Sequence, residues 1–214
     1  MLIVAGPSGA GKSSLFSVYK AKGFEAFNVD DHAAALWAQV LGSPQPVYVG
    51  IPPAVRDQAR PAMQRFIEEH LNAQRSFTFE TTLRDVTFDQ TRRAAANGFL
   101  VQMLFIAAGD VHEHIARVSN RAEKGGHSAS PDSIAEIYAR AMRHLVDAFD
   151  ANRLGDIHLL HVFHNPRVAG VPGRPERIAG LWNGRPRDLA VRAPAWFHIA
   201  VQGTPYELEK LRQL

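Results

Sequence analysis

An α/β fold, with a parallel sheet of about five strands flanked by helices, a lid and a small C-terminal extension, is what the sequence predicts. Three observations predict it. Apolar strand-like runs alternate with helix-like segments over residues 1–165, the pattern that builds a parallel sheet with helices on both faces. The first of these strands leads directly into a glycine-rich loop and a helix. The length, 214 residues with 46% hydrophobic and 21% charged residues, suits a single domain with a sizeable core. Residues 1–165 are expected to form the core of that domain, and residues 166–214 a hairpin and helix that extend it.

The elements follow in order. Leu2–Ala5 is all apolar, as in a strand buried on both faces. A helix is expected over Lys12–Lys22, stopped by Gly23. Phe24–Val29 reads as the second strand, then Asp30-Asp31 and a helix from His32 to Leu41. Pro44, Pro46, Pro52 and Pro53 mark a loop, and a helix over Ala54–Gln74 should kink or break near Pro61. Phe77–Phe79 is strand-like, Asp85–Asn97 helical up to Gly98, and Phe99–Ala107 the clearest central strand. Asp110 and Glu113 have capping-box spacing for a helix ending near Lys124-Gly125-Gly126. Ser130-Pro131 is an N-cap and N1 pair for a helix to about Asn152. Ile157–Phe163 reads as the last core strand. Ile178–Trp182 and Leu189–Val191 flank Asn183-Gly184 as a hairpin would, and Thr204-Pro205-Tyr206-Glu207 opens a short final helix.

Composition narrows the chemistry. The absence of cysteine excludes disulfide scaffolds, thiolate nucleophiles and iron–sulfur clusters. No apolar stretch is long enough to span a membrane, and no charged segment precedes the first strand, so a cytoplasmic protein is expected. The net charge is +3, and 19 of the 24 basic residues are arginine. That excess fits phosphate-rich ligands and a GC-rich genome equally. With no long basic run, nucleic acid is not the expected partner. The histidines have poor metal-ligand spacing: His112 and His114 face different ways on a helix, and His158, His161 and His164 alternate across a strand.

The strongest motif is Gly6-Pro7-Ser8-Gly9-Ala10-Gly11-Lys12-Ser13, followed by Ser14. It has the spacing of a nucleotide-binding phosphate loop, between a strand and a helix. Glycines let main-chain N–H groups curl around phosphate oxygens, and the following helix aims its positive end at them. Lys12 would neutralise β- and γ-phosphate charge, and Ser13 would ligate Mg2+. The expected cofactors are therefore ATP and Mg2+. Asp30, 18 residues beyond Lys12, is placed to take a proton from an attacking hydroxyl, although Asp30 and Asp31 are equally suited to cap the next helix. Glu80 and Thr82 end the third strand, where a carboxylate and a hydroxyl can orient a polar substrate or bind Mg2+ through water. Arg117 and Arg121 share a helix face ahead of a glycine pair, like a lid that closes over phosphates. Asp110, the nearest approach to a second acidic nucleotide-binding motif, reads better as a helix cap.

These residues together resemble the zeta-toxin-like family of P-loop kinases. The match runs through the phosphate loop, Asn28-Val29-Asp30, Phe79-Glu80-Thr81-Thr82-Leu83, and Arg117 through Arg121 to Gly125-Gly126-His127, then Pro131. The resemblance implies ATP-dependent phosphorylation of a sugar hydroxyl on a UDP-activated amino sugar. By the same likeness, Asp30 would be the general base, Glu80 and Thr82 the substrate contacts, and Arg117 and Arg121 the residues near the ATP phosphates. Some members are toxins restrained by an antitoxin, which makes an antitoxin a candidate partner. The sequence departs from the family at Glu136-Ile137, where paired arginines often precede the tyrosine, and at His164-Asn165-Pro166, where the family carries Asp-Asn-Ser. Two other functions fit the residues: an ATP-binding regulatory module without turnover, and a kinase acting on nucleic-acid ends.

Overall fold

In a computed structural model, which describes residues 1–13, 24–123, 129–168, 171–172 and 174–214, strand β1 (Leu2–Ala5) lies in the middle of the sheet and is buried along its whole length. The chain then forms the phosphate loop, and Lys12 and Ser13 begin a helix. The rest of the helix expected over Lys12–Lys22 lies outside the described residues, as do Ser14, Lys124 and Gly125-Gly126-His127. Strand β2 (Glu25–Phe27) is shorter than expected because Asn28 caps a helix. Helix α1 (Val29–Leu41) therefore starts before the aspartate pair, and Asp30 and Asp31 sit in its first turn, where the helix dipole favours acids.

Helix α2 (Pro53–Asn72) runs without interruption through Pro61. The expected break does not occur. Pro61 is exposed at the edge of a cleft, so its ring meets solvent rather than the core. Ala59 on α2 clusters with Ala33 and Ala34 of α1, small side chains that let the two helices approach closely, and with Ile51 of the loop between them. Strand β3 (Phe77–Thr81), helix α3 (Asp85–Ala96), strand β4 (Gln102–Ala107), helix α4 (Val111–Glu123) and helix α5 (Pro131–Leu154) follow. Asp110 caps α4 by accepting the Glu113 N–H at 3.0 Å. Ser130 caps α5 by accepting the Ser133 N–H at 3.2 Å.

Strand β5 (Leu159–His164) is not the last strand of the sheet. Two short strands, β6 (Arg167–Val168) and β7 (Val171–Pro172), pair with each other. The hairpin of β8 (Glu176–Trp182) and β9 (Arg185–Leu189) then adds to β5, giving a seven-stranded sheet in the order β2-β3-β1-β4-β5-β8-β9. The first five strands are parallel, and the hairpin joins antiparallel. The second hairpin strand lies earlier than residues 189–191 because the Asn183-Gly184 turn is tight, with both residues at positive φ. Helices α6 (Ala195–Val201) and α7 (Leu208–Leu211) end the chain. The last helix starts after Glu207 rather than at Thr204, since residues 204–207 form a turn. Phe149 of α5 holds this end, with Phe197 at 6.4 Å and Tyr206 stacked at 4.7 Å.

The larger core lies on one face of the sheet, around Phe77, Phe79, Phe105 and Phe149. On the other face Val4, Ala10 and Ile106 form a small cluster under the phosphate loop. Register aligns the carboxyl ends: Ala5 is level with Thr81 of β3 and Phe105 of β4. Ligand crevices in such sheets open at that edge. Among the described residues no helix is long and apolar enough to cross a membrane.

Candidate active site

A cleft of about 1030 Å³ opens at this edge. It brings together the phosphate loop, Asp30, Glu80, Thr82, Arg117 and Arg121, residues scattered over more than a hundred positions of sequence. Gly6, Gly9 and Gly11 all have positive φ. At Gly6 the need is steric as well, because an added Cβ would overlap the carbonyl oxygen of Ile106.

Lys12 is buried, with Nζ donating to the Pro7 carbonyl at 2.9 Å and lying 3.6 Å from Glu80 Oε1. Burial lowers the pKa of Lys12, opposed by the charges of Glu80 and Asp30. Glu80 is held from two directions. Asn28 Nδ2 donates to its Oε2 at 2.9 Å, and the Ser13 hydroxyl donates to the same atom at 3.3 Å. Burial raises the pKa of Glu80, Lys12 opposes this, and Asp30 adds to it. A hydroxyl and a carboxylate side by side are hard oxygen donors of the kind Mg2+ takes together with phosphates and water. Among the described residues no group of three or more His, Cys, Asp or Glu side chains is arranged to hold a metal on its own.

The two adjacent aspartates are separated by their surroundings. Asn28 Oδ1 accepts both main-chain N–H groups, at 2.8 Å from Asp30 and 3.2 Å from Asp31, so neither aspartate is needed as the cap. The Asp31 carboxylate accepts the Tyr48 hydroxyl at 2.9 Å. The pKa of Tyr48 is pushed up to about 12 by burial and by that bond. Asp30 lines the cleft, and Asp31 does not.

Arg117 is fixed. Its Nε donates to Glu113 at 2.6 Å and its Nη2 to the Asn165 carbonyl at 2.8 Å. Arg121, the next residue along that face, is exposed at the cleft rim. Leu83, directly after Thr82, has a φ of 63° although its side chain is fully buried. A non-glycine residue in that region is strained. The buried side chain pins the turn that presents Thr82 and Arg84 to the cleft.

Sequence reasoning missed several residues here. Arg56, Arg60 and Arg65 of α2 and Arg84 after β3 line the cleft on its β2–β3 side. No ion pair joins any of them to an acid among the described residues. Burial lowers the pKa of Arg84, and the positive charges of Arg60 and Arg140 lower it further. An i, i+4 arginine pair, Arg56 and Arg60, was the only available signal. His114 and Asn165 were also missed; both contact the phosphate loop from behind.

No protein-family model and no curated protein sequence matches the chain. Solved structures do. A chain of the AvrRxo1-ORF1:-ORF2 complex with ATP is 16% identical with a TM-score of 0.66, the match covering 87% of this chain and 60% of that one. The native form of that complex gives 15% identity and a TM-score of 0.67, over 96% of this chain and 64% of the other. A chain of the PezAT chromosomal toxin–antitoxin system of Streptococcus pneumoniae is 15% identical with a TM-score of 0.51, covering 82% of this chain and 71% of that one. The chain thus spans less than two thirds of the AvrRxo1 chains. The likeness shows the fold: an α/β fold with a mostly parallel sheet flanked by helices.

Proposed function

We propose that the protein is a P-loop phosphotransferase of the zeta-toxin-like kind, moving the γ-phosphoryl group of ATP to a hydroxyl of a small anionic acceptor. One observation carries this reading: Asp30 and Glu80 flank the mouth of a phosphate loop inside a single cleft. The loop and Lys12 bind the β- and γ-phosphates. Asp30 accepts the proton of the acceptor hydroxyl as its oxygen attacks in line. Glu80 and Thr82 orient the acceptor, and Arg117 and Arg121 stabilise the charge spread over the transferring group. Ser13, with Glu80 beside it, would hold Mg2+, which supplies neutralisation of phosphate charge when bound. Catalysis on this plan rests on positioning and preorganised electrostatics. Seven basic and two acidic residues line the cleft, which favours an acceptor with negative charge of its own. A UDP-amino sugar, the acceptor implied by the family resemblance, meets that requirement. These substrates place the reaction in the cytoplasm. The toxin–antitoxin context of the PezAT neighbour makes an antitoxin-type protein a candidate partner.

The test is transfer from γ-labelled ATP to a panel of UDP-sugars and other hydroxyl metabolites. One acceptor should be labelled, and Asp30→Asn should lower the rate by about 10²- to 10⁴-fold, with Lys12→Ala inactive. Full activity in Asp30→Asn removes the base assignment. ATP binding with no acceptor labelled points instead to a nucleotide-binding regulatory module.

A further inference from the structure

The carbonyl groups of the phosphate loop are held as deliberately as its glycines. A loop that turns its N–H groups toward an anion must turn its carbonyl oxygens elsewhere, because a carbonyl aimed at a phosphate repels it. Turned away from solvent, each such carbonyl then needs a donor. In this chain three are satisfied from the protein side. Pro7 O accepts from the Ala10 N–H at 3.2 Å and from Lys12 Nζ at 2.9 Å. Ser8 O lies 2.7 Å from His114 Nδ1, and Ala10 O accepts from Asn165 Nδ2 at 2.8 Å.

The last two donors come from outside the motif. His114 is fully buried on α4. A carbonyl can only accept, so Nδ1 carries the proton, and Nε2 is left to accept the Ala108 N–H at 3.1 Å. The neutral ring thus ties the loop to the end of β4. Tyr138 packs against the ring at 5.1 Å and donates its hydroxyl to Gly109 O at 3.0 Å, so α5 holds the same corner. Asn165, just past β5, is fixed through three groups. Its N–H donates to Ala107 O at 2.8 Å, its carbonyl accepts from Arg117, and its amide reaches the loop. Gly11 is pressed so closely against that amide that an added Cβ would overlap Nδ2.

The geometry points to His114 and Asn165 as positioning residues that preform the anion-binding shape of the phosphate loop, each by anchoring one loop carbonyl away from the ligand. Asn165 has a second effect: through its own carbonyl it sets the Arg117 guanidinium relative to the loop. Neither residue lines the cleft. Both act by removing the reorganisation that an unanchored loop must complete on binding. This inference rests on the loop being a nucleotide phosphate site and not on turnover.

The test is MgATP affinity by titration calorimetry, with inorganic pyrophosphate as a second probe. Wild type is compared with Asn165→Leu and His114→Phe, which keep approximate volume and lose the donor. Each is expected to weaken MgATP binding by about 5- to 100-fold, the effect of leaving a buried carbonyl without its donor. Pyrophosphate binding should weaken in parallel, while KM for the acceptor stays within about threefold. Asn165→Ser and His114→Gln retain a donor and should recover part of the affinity; they also serve if the apolar variants do not fold. Wild-type affinity in a folded Asn165→Leu or His114→Phe protein overturns the inference, as does an equal loss of ATP and acceptor binding, which marks a general packing role. Wild-type protein that binds MgATP but labels no acceptor leaves the inference standing and removes the kinase reading. Wild-type protein that binds no MgATP removes both.

Discussion

Along the β4–β5 wall of the cleft, polar groups are closely partnered. Lys12 sits on Pro7 O, His114 on Ser8 O, Asn165 on Ala10 O, and Arg117 on Glu113 and Asn165. Along the β2–β3 wall, Arg56, Arg60, Arg65 and Arg84 line the same space without an acidic partner among the described residues. The first wall is built to hold its shape before any ligand arrives. The second carries cationic charge that awaits its counterion. On the proposed function, the first wall serves the phosphates of one nucleotide, so its shape can be built in advance, whereas the second would match one particular acceptor and leave its charge for that molecule to neutralise.

The first way to test the contrast is through pH, on the partnered wall. Burial lowers the pKa of His114 to about 4, from an ordinary value of 6.5. Between these values the unfolded chain binds a proton that the folded protein does not, so stability falls as pH falls. The contribution is fully present above pH 6.5 and lost by about pH 4, on the order of 3 kcal/mol in all. Denaturant unfolding across that window should show the slope in wild type and lose this component of it in His114→Gln. An unchanged slope means that burial does not keep the ring neutral.

The second prediction addresses the open wall. Arg60→Gln and Arg84→Gln should each raise KM for an anionic acceptor by roughly 10- to 100-fold, the usual worth of a charge-assisted hydrogen bond. KM for ATP should move by less than about threefold. If ATP affinity falls as much as acceptor affinity, the two walls are not functionally separate. The smallest effect belongs to the pair beside Asp30. Tyr48→Phe removes the bond to Asp31 and should change the transfer rate by less than about threefold, since Asp31 does not line the cleft. A larger loss would give Asp31 a part in catalysis.

Both walls differ in how far the sequence revealed them. The phosphate loop was legible because its chemistry is contiguous: eight neighbouring residues carry the turn, the lysine and the hydroxyl. Asp30, Glu80, Thr82, Arg117 and Arg121 were legible as strand-end and helix-face residues, and the cleft gathers all five. Which aspartate faces the cleft was not, because Asn28 and Tyr48 decide it, and Tyr48 is 17 residues from its partner. The hairpin was legible from Asn183-Gly184, but not its place as the sixth and seventh strands of the sheet, which depends on pairing with β5. Of the kink or break expected near Pro61, the break does not occur, since the helix runs on through the proline.

By itself the sequence determined the alternation of strands and helices and the phosphate loop, since both depend on periodicity and main-chain constraints acting over a few residues. Only the tertiary structure decided how the loop is held and how the arginine-lined wall is charged. Asn165 lies 155 residues from Ala10 and His114 lies 106 residues from Ser8. The order of strands brings them together, and no local pattern encodes that order. The arginines of α2 become one wall with Arg84 for the same reason: the close packing of α2 on α1 turns that helix toward the end of β3.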